Sequence, residues 1–133
     1  MYYFAYATDL NRRQLAKICP DSRPRFKAVL PNYKLIFTGW SRKMRGGTAS
    51  VKPYQGEKVP GAVYELSDID LRKLDREMVS PAERTRVTAL VIDEDGDSAN
   101  AAFYVNRTQS QETEPSREYL TEIQQGYRDW EIT

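Results

Sequence analysis

The amino-acid sequence predicts an α+β fold in one domain, with a strongly curved sheet or small barrel that carries helices on its outside. Three observations indicate this fold class. Short apolar or alternating segments recur along the chain, helical spacing appears in three further segments, and no internal repeat or linker divides the 133 residues. With 40% hydrophobic residues, a chain of this length can form one sizeable core.

The first two predicted elements are a strand and a helix. Residues 1–6 are apolar on both faces, which indicates a strand in a central position of the sheet. Thr8 or Asp9 is then a suitable N-cap for a helix that continues to Ile18 and stops at Pro20. Backbone N–H groups in the turn between the two elements are expected to be available to an anion.

Two hairpins are predicted next. Residues 26–30 and 33–38 form the strands of the first hairpin, with Pro-Asn as its turn. Residues 48–53 and 59–66 form the second, around the turn sequence YQGEK. Glycine in that turn can adopt a positive φ at little cost.

The next segment predicts a helix followed by another hairpin. Ser67 opens the helix in a pattern similar to a capping box, and the helix ends near Glu77 or Met78. Strands over residues 85–92 and 98–105 follow, and the acidic turn DEDG joins them.

The last predicted element is an amphipathic helix. Polar residues 107–114 are expected to be mobile, and the sequence Glu-Pro-Ser then starts the helix. Its apolar side chains share one face, which must pack against the rest of the domain; they are Tyr119, Leu120, Ile123, Tyr127 and Trp130.

Missing residue types exclude several kinds of chemistry. The chain has no histidine and one cysteine, Cys19, which excludes histidine-assisted nucleophiles and the usual zinc sites. No glycine-rich phosphate-binding motif is present, so a nucleotide held by such a loop is not predicted, and without the usual zinc ligands no metal site is predicted either. Acid-base catalysis must then depend on carboxylates, tyrosines or lysines. Without a long apolar run or a signal peptide, a cytoplasmic protein that does not span a membrane is expected.

Charge is divided unequally along the chain. Residues 1–60 carry a net charge of +9 and residues 61–133 a net charge of −8. This polarity indicates either that the two halves pair in the fold, which we favour, or that a basic face attracts an anionic ligand. The densest basic segment is the loop Arg42–Arg45 beside Trp40. A short loop of this kind lacks the exposed aromatics typical of nucleic-acid binding, so a nucleic acid is not an expected partner.

Three segments of the chain resemble the γ-glutamylcyclotransferase-like family, which includes AIG2-like proteins. The opening YFAYATDL is similar to the family's YFAYGSNL, and RGGTASVKPYQGEKVPGAVYELSDIDLRKLD is similar to its gGxAtivpxxGexVxGvlyeLsxxdlxxLD. The final segment EPSREYLTEIQQGYRDW resembles the family's PSxxYlxxiixGaxe. The resemblance implies a small mixed β-barrel with flanking helices.

The resemblance also implies a reaction and a site. Family enzymes cyclise a γ-glutamyl amine to 5-oxoproline, because the substrate's own α-amine attacks its γ-carbonyl and releases the attached amine without a cofactor. The partner expected is therefore a small molecule, either a γ-glutamyl compound or another anionic metabolite. The residues that would hold it are Tyr3, Phe4, Ala5, Tyr6, Ala7, Thr8, Asp9 and Leu10, together with Met78 and Tyr104.

Two departures from the family pattern concern this site. Ala7-Thr8-Asp9 stands where the family has Gly-Ser-Asn, and Met78 stands where its LDxxEG motif has the catalytic glutamate. Glu77 is a displaced candidate for the general base, although it is rotated by about 100° from residue 78 on a helix. Glu83 and Tyr104 are further candidates. The simpler interpretation is that Met78 completes the core while both glutamates are solvated.

Two functions therefore remain open from the sequence. In the first, the chain is an enzyme that cyclises a γ-glutamyl amine with a displaced carboxylate such as Glu77. In the second, it is a relative without the base that binds a small anionic metabolite or a protein partner. The residue that faces the pocket at the end of the second helix distinguishes the two functions.

Overall fold

The computed structural model describes residues 1–79, 84–107 and 111–132. In these ranges, five strands close into a barrel in the order β1-β3-β2-β4-β5. The strands are β1 (Tyr2–Ala5), β2 (Arg23–Ser41), β3 (Gly46–Glu65), β4 (Arg84–Asp93) and β5 (Ser98–Asn106). The helices are a short 3₁₀ turn (Thr8–Leu10), α1 (Arg12–Ile18), α2 (Asp68–Val79) and α3 (Arg117–Asp129). This mixed barrel with flanking helices confirms the predicted fold class.

Strand β1 is central, as its two apolar faces predict. Tyr3 pairs with Tyr64 of antiparallel β3 on one side and with Ala102 of parallel β5 on the other. Successive side chains of a strand point to opposite faces. Phe4 therefore joins the apolar cluster that fills the barrel, while Tyr3 and Ala5 join the cluster beneath α1 and α2.

The two predicted hairpins are wrong, because the structure forms one long hairpin from β2 and β3. Their pairing changes register from Pro31 opposite Lys58 to Tyr33 opposite Pro53. Asn32 adopts a φ of 61° at this point, and its Oδ1 accepts the N–H of Gly56 at 3.2 Å. The two turn-like sequences thus face each other across a bulge. They bend a continuous ribbon and do not end it, which allows the barrel to close.

Helix starts agree with the sequence in two cases of three. Ser67 caps α2 by accepting the N–H of Asp70, and Ser116 caps α3 by accepting that of Tyr119, as predicted. The predicted cap at Thr8 or Asp9 is wrong, since these residues form the 3₁₀ turn. Asn11 caps α1 instead, and its side chain accepts the N–H of Arg13 at 3.0 Å.

The chain before α3 is tied to the barrel. Thr113 donates its N–H to Phe37 at 2.9 Å, and Gly47 donates to Glu114 at the same distance. The expectation of a mobile segment is therefore not met for residues 111–114; residues 108–110 lie outside the described residues. These bonds fix where α3 begins, and so where Tyr119 enters the barrel.

Ion pairs join the basic and acidic halves of the chain, as the favoured interpretation predicts, while attraction of an anionic ligand by a basic face stays a prediction. Arg25 pairs with Glu65 at 3.4 Å and Lys27 pairs with Glu94 at 3.6 Å, so acidic and basic halves do meet. The basic loop Arg42–Arg45 has no ion pair within the described ranges. None of the helices described is long and apolar enough to cross a membrane. A cytoplasmic location stays a prediction.

Candidate functional site

A cavity of about 750 Å³ opens at one end of the barrel. Its walls are the 3₁₀ turn, α1, the end of α2, the start of β4 and the loop between β2 and β3. A smaller pocket of about 40 Å³, here called the inner pocket, adjoins it on the side of β1. Five residues line both spaces and mark where they meet: Thr8, Asp9, Met78, Arg84 and Tyr119.

Asp9 occupies the turn that follows β1. Its Oδ1 accepts the N–H of Ala7 at 3.1 Å, and its Oδ2 accepts the hydroxyl of Tyr3. The chain's own carboxylate therefore takes the N–H of Ala7, and the expectation that backbone N–H groups of this turn hold an anion stays a prediction for the others. Ala7 has a φ of −132°, so the turn does not use the positive φ that a glycine at this position would allow.

Burial controls the ionisation of Asp9. Its removal from water raises the pKa of the carboxyl above the ordinary value, although the bonds from Tyr3 and Ala7 and the nearby charge of Arg84 act in the opposite direction. A carboxylate of this kind binds a proton more readily than a solvated one. Its proton affinity is therefore shifted in the direction that a general base requires.

The end of α2 presents a methionine to the inner pocket. Met78 is half-buried, packs against the cluster beneath the helices, and lines both the cavity and the pocket. Glu77 is exposed and lines the larger cavity but not the inner pocket. Glu83 lies outside the described residues. Glu77 is therefore placed on the outer wall of the cavity, away from the turn.

Tyr104 is held by a neighbour outside the cavity. Its hydroxyl donates to Asp75 at 2.5 Å, and Asp75 also pairs with Arg86 at 3.1 Å. Burial, together with the adjacent Asp75 carboxylate, raises the pKa of Tyr104. The hydroxyl stays protonated near neutral pH, so Tyr104 forms a wall of the inner pocket and is a poor base.

The remaining predicted site residues divide into pocket and core. Tyr3, Tyr6 and Ala7 line the inner pocket beside Thr8 and Asp9. Phe4, Ala5 and Leu10 are fully buried and do not line either space. The carbonyl of Leu10 instead accepts the Trp130 indole N–H at 2.9 Å, which fixes the turn against the end of α3.

Sequence reasoning missed two residues of the site, Arg84 and Tyr119. The Tyr119 hydroxyl accepts the N–H of Ala49 at 2.9 Å and a hydrogen bond from Arg84, and it donates to no acceptor among the described residues, so its own proton can be donated to a ligand. Burial lowers the pKa of Arg84, but the neighbouring tyrosines and Asp9 raise it more, and the guanidinium stays charged. The segment EPSREYL could have indicated Tyr119. No sequence signal distinguishes Arg84 from other basic residues at strand starts.

We expect Tyr119→Phe to destabilise the fold, because the buried N–H of Ala49 loses its acceptor. An unsatisfied buried donor costs about 1–3 kcal/mol in the free energy of unfolding. Urea denaturation is the measurement, and Tyr127→Phe on the same helix is the control, since its hydroxyl makes no hydrogen bond within the described part of the chain. Equal midpoints for the two variants would contradict the prediction.

Comparison with known proteins relates this geometry to a family. A family model described as "Gamma-glutamyl cyclotransferase, AIG2-like" matches residues 3–130. The solved structure of a gamma-glutamyl cyclotransferase is 24% identical, with a TM-score of 0.92 over 97% of this chain and 79% of that chain. An uncharacterized protein from Homo sapiens is 23% identical, with a TM-score of 0.90 over 96% of this chain and 78% of that chain.

A third solved structure, of an AIG2-like protein from Mus musculus, is 24% identical. Its TM-score is 0.62 over 90% of this chain and 81% of that chain. No curated protein sequence matches the chain significantly. At these identities, the structural matches establish a shared fold.

Proposed function

This chain belongs to the gamma-glutamyl cyclotransferase, AIG2-like family, and from that premise we propose that it cyclises a γ-glutamyl amine to 5-oxoproline and releases the amine. One observation carries the proposal. A half-buried carboxylate, Asp9, and a charged guanidinium, Arg84, line the same pocket at the turn that the family resemblance assigns to the γ-glutamyl group. The two side chains offer opposite charges to a zwitterionic ligand.

The α-amino acid end of the substrate fits these charges. The Arg84 guanidinium can pair with the α-carboxylate in a charge-assisted, two-pronged contact. The Asp9 carboxylate can accept a hydrogen bond from the α-ammonium. With both ends held, the glutamyl chain folds back so that its nitrogen lies near the γ-carbonyl carbon.

The reaction then requires proton transfers and one stabilised oxyanion. Asp9 takes a proton from the α-ammonium, and the freed amine attacks the γ-carbonyl carbon. The Tyr119 hydroxyl, whose proton meets no acceptor in the described ranges, can donate to the oxygen that becomes negative. As the bond from carbon to the leaving nitrogen breaks, that nitrogen receives the proton held by Asp9 and a second proton from the attacking nitrogen. It departs as an ammonium.

Asp9 is the base in this proposal, and Glu77 is its competitor. Glu77 is exposed on the outer wall of the cavity, where water already solvates it, and it does not line the inner pocket. Asp9 lines the inner pocket and has a raised pKa. Its position supports a base that has moved from the end of α2 to the opposite side of the pocket.

The test is 5-oxoproline release from γ-glutamyl dipeptides by purified protein, combined with calorimetric binding of 5-oxoproline. The proposed function predicts release that saturates with substrate, and product binding at the same site. Binding without release would instead support the second candidate function, a small-metabolite binder; Met78 at the family's glutamate position favours that alternative. Neither release nor binding would reject both functions.

A further inference from the structure

The cavity extends well beyond the space that a γ-glutamyl group needs. Asp9 and Arg84 lie where the cavity meets the inner pocket, whereas the tip of the β2–β3 hairpin lines the cavity and not that pocket, so it belongs to the outer part. Residues 38–44 all line this outer part. On the proposed function, the glutamyl group binds at the inner end, so the leaving amine lies against the hairpin tip.

The hairpin tip is aromatic and cationic. Trp40 is 70% exposed and lines the cavity. Arg42 and Lys43 are exposed beside it and line the cavity. Neither has an ion-pair partner in the described ranges, whereas Arg25 and Lys27 on the same hairpin are paired. The two cations are therefore available to a ligand.

Negative side chains and the positive side chains of the hairpin tip line different parts of the cavity. Among the described residues, the carboxylates that line it are Asp9 of the 3₁₀ turn and Glu77 of α2, and the charged residues that the hairpin tip contributes are cations. A leaving group that bears negative charge would be attracted to the tip and repelled from the α2 wall. Two adjacent cations attract a ligand with two negative charges more strongly than a ligand with a single negative charge.

We propose that the hairpin tip, formed by Trp40, Arg42 and Lys43, is a leaving-group subsite for an amine with two carboxylates, such as an acidic amino acid or the acidic end of a peptide. This inference rests on the proposed function and adds its substrate class. The indole covers the carbon chain of the leaving group, and the two cations pair with its carboxylates. These exposed contacts weaken as salt increases.

The experiment compares γ-glutamylglutamate with γ-glutamylglutamine, which have nearly the same shape and differ by one negative charge. Binding is measured by calorimetry on the Asp9→Asn protein, which avoids turnover, and kcat/KM is measured on the wild type. We expect about 3- to 10-fold tighter binding of the glutamate compound at low salt, and most of this preference should vanish at 0.5 M salt.

A matched set of variants locates the preference. Arg42→Gln and Lys43→Gln should each reduce it. Arg45→Gln, on the same loop but outside the cavity lining, removes the same charge and should keep it. Equal affinity for the two compounds, or an equal effect of all three variants, would overturn the subsite alone. No binding of either compound, together with no 5-oxoproline release from either by the wild type, would overturn the subsite together with the proposed function.

Discussion

Asp9→Asn is expected to lower kcat for 5-oxoproline release by about 10²- to 10⁴-fold, the usual contribution of a general base. The amide keeps an oxygen that can accept the Ala7 N–H, so the turn should retain its shape. It cannot accept a proton from the α-ammonium. Initial rates at saturating substrate measure the effect, and Glu77→Gln is the matched control, which should retain most of the activity. Loss in Glu77→Gln with full activity in Asp9→Asn would assign the base to α2.

The pH dependence of the same reaction has a defined sign. Asp9 must be ionised to act as a base, so kcat/KM falls as the pH falls through the pKa of Asp9 in the free protein. Because burial raises that pKa, this loss should occur at a higher pH than for a solvated aspartate. This decrease in activity at low pH should be absent from the residual activity of Asp9→Asn.

The contribution of Asp9 to the stability of the fold should fall as the pH rises, whereas its contribution to activity should increase. A carboxyl whose pKa is raised on folding weakens the fold as the pH rises through that pKa, because the folded state disfavours its charge. Asp9→Asn should therefore melt at the same temperature as the wild type or a few degrees higher at pH 7. A large drop in melting temperature would show that lost activity reflects unfolding.

Arg84→Met is expected to lower kcat/KM by about 10²-fold, mainly through a higher KM. Removing one partner of a desolvated charge pair leaves the substrate carboxylate without its cation, which typically costs binding of this order. The charge of Arg84 also lowers the pKa of Asp9. The acidic limb of the pH profile should consequently shift upward in the variant.

Steady-state kinetics with a γ-glutamyl dipeptide measure both effects of Arg84→Met. Arg72→Met on the exposed side of α2 is the control, because it removes a cation that does not line the cavity. Arg84→Lys, which keeps the charge but not the planar fork, should recover part of the loss. An unchanged KM in Arg84→Met would exclude the guanidinium from substrate binding.

The sequence predicted the parts of the fold that depend on local patterns. The apolar faces of β1 gave its central place, and the serines before α2 and α3 gave their caps. The long hairpin was missed because a turn sequence has the same composition in a hairpin and in a bulge. What distinguishes them is the facing strand, where Asn32 meets Gly56.

The candidate site shows the same limit. The turn around Asp9 and the position of Met78 could be located because they lie within contiguous motifs. Arg84 and Tyr119 reach the pocket from β4 and α3, and only closure of the barrel brings them to Asp9. The hydrogen bond from the Ala7 N–H to the Asp9 carboxylate also depends on side-chain geometry, which a sequence motif does not specify.

The central claim is that the base has moved across one pocket, from residue 78 to residue 9. The double variant Asp9→Asn/Met78→Glu tests this most directly, since Met78 already faces the pocket that Asp9 lines. A carboxylate restored at residue 78 should have a pKa raised by burial. The double variant should therefore release 5-oxoproline at least about tenfold faster than Asp9→Asn alone. If the folded double variant stays as inactive as Asp9→Asn, or if Asp9→Asn never loses activity, the claim is contradicted.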